Sequence, residues 1–382
     1  MGDCEGEIIA VKKDNNVEAF FALVRAGLWE QNCKLASYEP LDFKVVYRIA
    51  EEQSVIGLIA AGLDHVEDVK VPKDVALEFA GTALQLEQSN SAMNKYVAHL
   101  VNRMRGCGIY TLLLKGQGIA KCYERPLWRA CGDIDLFLSD DNYNKAKEFI
   151  VSLASSVEPE GQYNKHLGVV ADGWNVELHG NLKGGISSRI DKELNDIYVD
   201  TFNNGAVSSC ELSGTQVFLL SKENDVIYVF THFFQHFYRG GIGLRQICDW
   251  SRLIWANINT IRTELIEKRL RKMGLISEWK AFSYFAVEYL GMPSDVMPFY
   301  SADRKWSRKA DKICCFILEV GNFGHKRDMS YYGCKPYVIR KMISMGRRIS
   351  DLFSHARIFP MDSIRFFPRI VINGLRSAAN GE

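Results

Sequence analysis

Two aspartates stand one residue apart in this chain, Asp133-Ile-Asp135, inside the run Arg129-Ala-Cys-Gly-Asp-Ile-Asp-Leu136. In a strand, residues i and i+2 point to the same face. Asp133 and Asp135 therefore share one face, and Ile134, Leu136 and Leu138 the other. Two carboxylates side by side repel each other unless a cation lies between them. Mg²⁺ suits that place, because it prefers oxygen ligands and is commonly held together with phosphate. Upstream, Leu112-Leu-Leu-Lys-Gly-Gln-Gly118 reads as a strand, a glycine turn and a short helix. A strand–turn–helix feeding an acidic strand predicts an α/β (α+β) fold around a small mixed sheet.

The chain's 382 residues allow two or three domains with a sizeable core. The net charge is +1, so the molecule as a whole shows no attraction to a polyanion. The ten cysteines include no C-x-x-C pair, which argues against zinc-ribbon and thioredoxin-like classes. Free thiols in a reducing compartment are the simplest account, and a cytoplasmic location is expected. The first residues are polar and acidic, without a signal-peptide core. Met1-Gly2 lacks the Ser or Thr at position 6 that myristoylation needs. No apolar run approaches the roughly 18 residues that read as a transmembrane helix.

Along the chain, residues 1–104 read as a helical layer. A capping box at Asn15 and Glu18 starts a helix over 15–30; a second spans 41–64; Pro72 opens a third that runs to about Arg105. Residues 105–215 form the expected α/β core. It holds strands at Ile109–Leu114 and Asp133–Ser139, a helix capped at Ser139–Asn142 and running through Leu153, and a loop at 154–167. A hairpin follows, Leu167–Val170 with Trp174–Leu178, which puts Asn175, Glu177 and His179 on one face. From about 188 to 320 the chain returns to helices, and 216–334 is expected to be a helical lobe. Its aromatic Asn224–Tyr238 segment is separated by Gly240-Gly-Ile-Gly243 from a helix at Leu244–Asn257. Residues 335–382 carry nine Lys/Arg against three Asp/Glu, with Val338, Met342, Met345, Ile349, Leu352 and Ala356 as an apolar helical stripe. This basic tail is expected to dock on the helical lobe. The alternatives are contact with RNA or an acidic partner through Arg347, Arg348 and Arg357, or with an anionic membrane surface.

Phosphoryl or nucleotidyl transfer needs carboxylates to hold metal, donors for a triphosphate, and alignment of the attacking oxygen. Asp133 and Asp135 supply the metal-facing pair. Gly116 lies at a turn where bare backbone N–H groups can approach phosphate. Lys115 and Arg129 either neutralise the triphosphate or form structural salt bridges with the acids. Glu177 suits a third metal ligand; its plain alternative is a solvent-facing strand residue. His232 and His236, at i and i+4 among phenylalanines, read as packed core histidines, or with His179 as the acceptor side of a cleft. Arg245 and Asp249 read as a helix salt pair.

These residues carry a resemblance. The glycine turn, the Asp-x-Asp strand and the later hydrophobic–acid–hydrophobic strand resemble the polymerase-β-type nucleotidyltransferase superfamily. The finer pattern is Leu114-Lys-Gly116, Tyr123, Pro126, Arg129, Gly132-Asp-Ile-Asp-Leu136, Glu177-Leu-His179 and His232-x-x-x-His236. It is similar to a largely uncharacterised bacterial family of nucleotidyltransferases, over roughly residues 100–260. The resemblance implies metal ligands at Asp133, Asp135 and Glu177 and nucleotide contact at Gly116. The superfamily usually has Gly-Ser or Gly-Gly after the first strand. Here Gly116-Gln117-Gly118 replaces it, so Gln117 is expected to donate where the serine would. Asp133 follows Gly116 by 17 positions, a longer interval than in compact members. The expected activity is transfer of a nucleoside monophosphate from a nucleoside triphosphate to a hydroxyl, with Mg²⁺ or Mn²⁺. The acceptor is a small molecule, a protein or an RNA. The competing expectation is a non-catalytic module that binds nucleotide, RNA or a partner on the same fold.

Overall fold

A computed structural model describes residues 14–160, 165–322 and 337–379. Helix α1 (Asn15–Trp29) starts at Asp14, whose carboxylate accepts from the Asn16 N–H, so the cap lies one residue before the expected Asn15. The predicted helix over 41–64 is two, α2 (Phe43–Glu52) and α3 (Ile56–Leu63). Ser54, with φ of 57°, breaks them apart. Helices α1 and α3 approach at glycines: a Cβ on Gly27 would sit 1.9 Å from the Leu58 carbonyl oxygen, and one on Gly62 2.2 Å from that of Leu23. Helix α4 (Lys73–Gly106) follows Pro72 as expected and runs unbroken for 34 residues.

The core is one mixed sheet. Its strands are β1 (Leu112–Leu114), β2 (Ile134–Phe137), β3 (Ala154–Val157), β4 (His166–Ala171), β5 (Trp174–His179), β6 (Val207–Leu212) and β7 (Thr215–Leu220), in the order β3-β4-β5-β2-β1-β7-β6. Strand β2 lies antiparallel to β1 and parallel to β5, with Asp135 opposite Leu114 on one side and Glu177 on the other. This register places the end of β1 and the middle of β5 beside the same aspartate.

One sheet face is apolar. Ile134, Leu136, Leu138, Val176 and Leu178 pack there with Met93, Val97 and Val101 of α4, and with Tyr143, Ala146 and Ile150 of α6 (Asp140–Val151). The acids therefore face the other way. On that side stand α7 (Ser188–Phe202) and the helical lobe: α8 (Lys222–Arg239), α9 (Leu244–Asn257), α10 (Thr263–Met273), α11 (Ile276–Glu288) and α12 (Arg304–Val320). The short helix α5 (Gly116–Ala120) joins the sheet to the lobe.

Two expectations of the sequence are corrected. Residues 154–157 form β3, not loop, and 207–220 form the β6–β7 hairpin inside a stretch read as helical. The edge strands β3 and β6 each hold two serines and few β-branched residues, which weakens the usual strand signal; β7 is an inner strand whose Thr215, Val217 and Phe218 do carry it. The hairpin's turn did carry a signal. Ser213 and Gly214 have φ of 47° and 79°, the type I′ requirement, as do Asp172 and Gly173 at 52° and 83° between β4 and β5. Strand β7 pairs parallel with β1, so the core sheet extends to Leu220.

The tail forms two helices, α13 (Tyr337–Ile358) and α14 (Pro360–Ala379). Ile358, Phe359 and Phe366 are buried, and Phe359 and Phe366 pack their rings against Phe234 of α8. Leu352 and Ala356 of the predicted stripe are partly buried; the side chains of Val338, Met342, Met345, Ile349, Arg347 and Arg348 lie outside the described set. Among the described residues every cysteine is a free thiol, and no helix is long and apolar enough to cross a membrane.

Candidate active site

The site forms where β1 ends. Lys115 and Gly116 have φ of 47° and 40°. That conformation is free for glycine but costs a lysine on the order of 1–3 kcal/mol, and such strain collects at functional positions. The turn sends the Lys115 side chain across β2. Its Nζ lies 3.1 Å from Asp135 Oδ1 and 3.1 Å from His232 Nε2. Asp135 is 1% exposed and also meets His179 Nε2 at 2.8 Å. Glu177 Oε2 stands 3.0 Å from His166 Nε2 and 3.5 Å from His179 Nε2. Ligand oxygens of Asp133, Asp135 and Glu177 all lie within 4.8 Å of one another.

The charges follow from this crowding. Burial, and then the Asp135 carboxylate, push the Asp133 pKa up. Burial works against a charged Glu177 as well, yet hydrogen bonds from His166 and His179 hold its carboxyl far below the ordinary range. Burial works against a charged Lys115, and Asp135 more than offsets it, so its pKa is raised. His179 is raised too: burial opposes its charge, but Asp135 and Glu177 accept from it.

The acids line a cleft of about 210 Å³, shared by Lys115, Gly116, Arg129 and residues of α8 and α9. Its far wall includes His232 and His236, so these histidines are not simply core packing, as their phenylalanine neighbours suggested. Burial, then the Lys115 charge, depress both, His236 to about 4 and His232 well below its usual value. They are neutral at physiological pH.

Arg129 is committed elsewhere. Its Nε and Nη2 donate to the two carboxylate oxygens of Asp249, each at 2.7 Å, and the Tyr123 hydroxyl donates to Asp249 Oδ1 at 2.7 Å. It pairs with a helix acid, not with Asp133 or Asp135. The expected Arg245–Asp249 helix pair is displaced by this contact. Arg245 instead lines the cleft, donates to the Ala130 carbonyl at 2.6 Å, and has no partner at Nε among the described residues. Gln117 also departs from expectation. Its amide donates to Asn90 Oδ1 at 2.8 Å and to Met93 Sδ at 3.2 Å, beneath α4 and away from the cleft. Helix α5 turns that position inward, so Gln117 does not stand in for a phosphate-binding serine.

Neither His166 nor Arg245 stands out in the sequence as a site residue. His166 depends on strand register, which a single strand does not reveal, and Arg245 on Asp249 being taken by an arginine 120 positions away.

A family model described as an uncharacterised nucleotidyltransferase matches residues 39–291, well over half of the chain and every residue of the cleft. The chain belongs to this nucleotidyltransferase family. The match begins before α2 and ends just after α11, so in this family member it takes in the whole sheet and much of the helical lobe. Among solved structures, an antigenic nucleotidyltransferase-like protein from Paracoccidioides brasiliensis is similar at 14% identity and a TM-score of 0.30. The similarity covers 55% of this chain and 95% of that one, too loose for argument. No curated protein matches.

The all-oxygen donor set of Asp133, Asp135 and Glu177 fits a hard divalent cation. Lys115 and His179 meet Asp135, and His166 and His179 meet Glu177, while Asp133, raised by burial and by the Asp135 carboxylate, gains from a cation placed beside it.

Proposed function

We propose that this protein transfers a nucleoside monophosphate from a nucleoside triphosphate to a hydroxyl of an acceptor molecule. Asp133, Asp135 and Glu177 would hold Mg²⁺, or Mn²⁺ in its place. The acceptor oxygen forms a bond to the α-phosphorus, the α–β phosphoanhydride bond breaks, pyrophosphate leaves, and the hydroxyl proton is lost to solvent. The observation that carries this reading is the convergence of the three carboxylates beside the positive-φ turn at Lys115-Gly116, inside the family-matched region.

Divalent cations bound there would lower the hydroxyl pKa and offset charge on the departing pyrophosphate. The chain's own groups do the rest. Gly116, on the cleft wall at the start of α5, would meet incoming phosphate with its backbone N–H. Lys115 exchanges its Asp135 contact for a phosphate oxygen. Arg245 adds a second cation from the opposite wall. Arg129, locked to Asp249, ties α9 to the segment that leads into β2 and so helps set the cleft's width. At about 210 Å³ the cleft is smaller than the roughly 300–1,000 Å³ typical of whole-ligand pockets. It suits the reacting phosphates, with base and acceptor at the mouth.

Replacing Asp133 and Asp135 by alanine should abolish transfer of label from an α-phosphate-labelled nucleoside triphosphate into any fraction of a cell extract. Unchanged transfer would sink the assignment. One observation favours a second reading, a non-catalytic nucleotide-, RNA- or partner-binding module: the Lys115 ammonium already compensates Asp135 at 3.1 Å. Tight metal-dependent nucleotide binding without turnover on any acceptor would select that reading.

A further inference from the structure

The strand that carries Glu177 also helps to bring two imidazoles onto the acidic face of the sheet. Strands β4 and β5 pair antiparallel with His166 directly opposite His179. Glu177 lies two residues before His179 and so points the same way. One i, i+2 pair on a strand plus one residue across the ladder is a rigid three-point grip, since sheet geometry fixes all three Cβ positions. His166 Nε2 is 3.0 Å and His179 Nε2 3.5 Å from the same oxygen, Glu177 Oε2. Around a tetrahedral ion with bonds of about 2.0–2.1 Å, neighbouring ligand atoms sit about 3.3 Å apart. The two separations bracket that value, and all three ligand atoms fall within 4.8 Å of one another.

We propose that His166, Glu177 and His179 form a second metal site, selective for Zn²⁺. Two imidazole nitrogens and one carboxylate suit zinc and its borderline neighbours, whereas Mg²⁺ prefers an all-oxygen set. The side chains are 35%, 32% and 13% exposed, which leaves an entry path and a fourth position open to water. The site shares Glu177 with the acid cluster of β2. A Glu177 carboxylate held by zinc is withdrawn from Asp133 and Asp135, and the His179 nitrogen that ligates cannot also serve Asp135. Zinc therefore inhibits. The inhibition rests on the transferase reading above; the binding does not.

Titration of the metal-free full-length protein with Co²⁺ tests the site. The expected result is visible d–d absorption that saturates at one Co²⁺ per chain, is removed by equimolar Zn²⁺ and survives millimolar Mg²⁺. His166→Gln and Glu177→Gln should each weaken Co²⁺ binding at least tenfold, and Asp133→Asn should leave it unchanged. Circular dichroism checks the fold of each variant; should one misfold, the other decides. No saturable band, a near-ultraviolet thiolate band that places the ion on cysteine, full binding by the folded histidine or glutamate variant, or loss in Asp133→Asn would each overturn the proposal. Zinc inhibition of label transfer should shift at least tenfold in His166→Gln. A wild-type protein without transfer on any acceptor would end the transferase reading, and the cobalt titration would still decide the metal site.

Discussion

Lys115 holds two roles at one position, and they can be separated by substitution. Its φ of 47° suits glycine, and its ammonium meets Asp135 and His232. Lys115→Gly and Lys115→Ala both remove the cation, but only alanine keeps the backbone strain. The glycine variant should be more stable than the alanine variant by about 1 kcal/mol in denaturant unfolding, and both should lose nucleotide affinity alike. Asp249 makes a sharper case. It is buried against Arg129 and Tyr123. Burial works against its charge, and Arg129 more than offsets this, so its carboxyl titrates low. Asp249→Ala strands the guanidinium of Arg129 and should cost about 3–5 kcal/mol, visible as a lower midpoint in urea. At this scale the sequence was informative where period-two alternation alone decides direction, at Asp133, Asp135 and Glu177. It was silent where a partner comes from afar, as Asp249 comes to Arg129 and His166 to Glu177.

Helices α11 and α14 meet through a carboxyl pair. Glu278 and Asp362 are both buried, and burial, then the Asp362 carboxyl, push the Glu278 pKa up to about 9. Lys309, Arg365 and the Tyr238 hydroxyl face the same pair. A carboxyl raised in the folded state stabilises fully below its unfolded value near 4.5, and that contribution is lost as pH rises through about 9. The melting temperature should therefore fall between about pH 5 and pH 9. Glu278→Gln, neutral throughout, should flatten the fall; an equally steep fall in the variant would refute a role for this pair. The α1–α3 crossing gives a second element-scale test. Gly62→Ala would drive a Cβ to 2.2 Å from a backbone oxygen and should destabilise by roughly 1–3 kcal/mol in thermal or urea unfolding. The α4 helix and the Asp-Gly hairpin were legible because their patterns are local and strong. The β6–β7 hairpin was not, because the serine-bearing edge strand β6 lacks the β-branched signal and β7 runs almost directly into α8, leaving Ser213-Gly214 to mark the turn.

For the whole molecule, the sheet's apolar face is sealed by α4 and α6, and its acidic face is roofed by the helical lobe, with the tail helices packed on α8. The two-sided character of β2 dictates this arrangement: Ile134 and Leu136 must be buried, so Asp133 and Asp135 must look into whatever covers the other side. The cover proves to be α8 and α9, which bring His232, His236 and Arg245 to the acids. On the proposed function, this cleft binds a nucleoside triphosphate through metal held by Asp133, Asp135 and Glu177. Calorimetric titration of each nucleoside triphosphate, with Mg²⁺ and then with chelator, tests it without knowledge of the acceptor. At least one nucleotide should bind in Mg²⁺, with affinity lost at least a hundredfold in chelator and in the folded Asp133→Asn/Asp135→Asn variant. Equal binding with and without metal, or by the variant, would contradict the account.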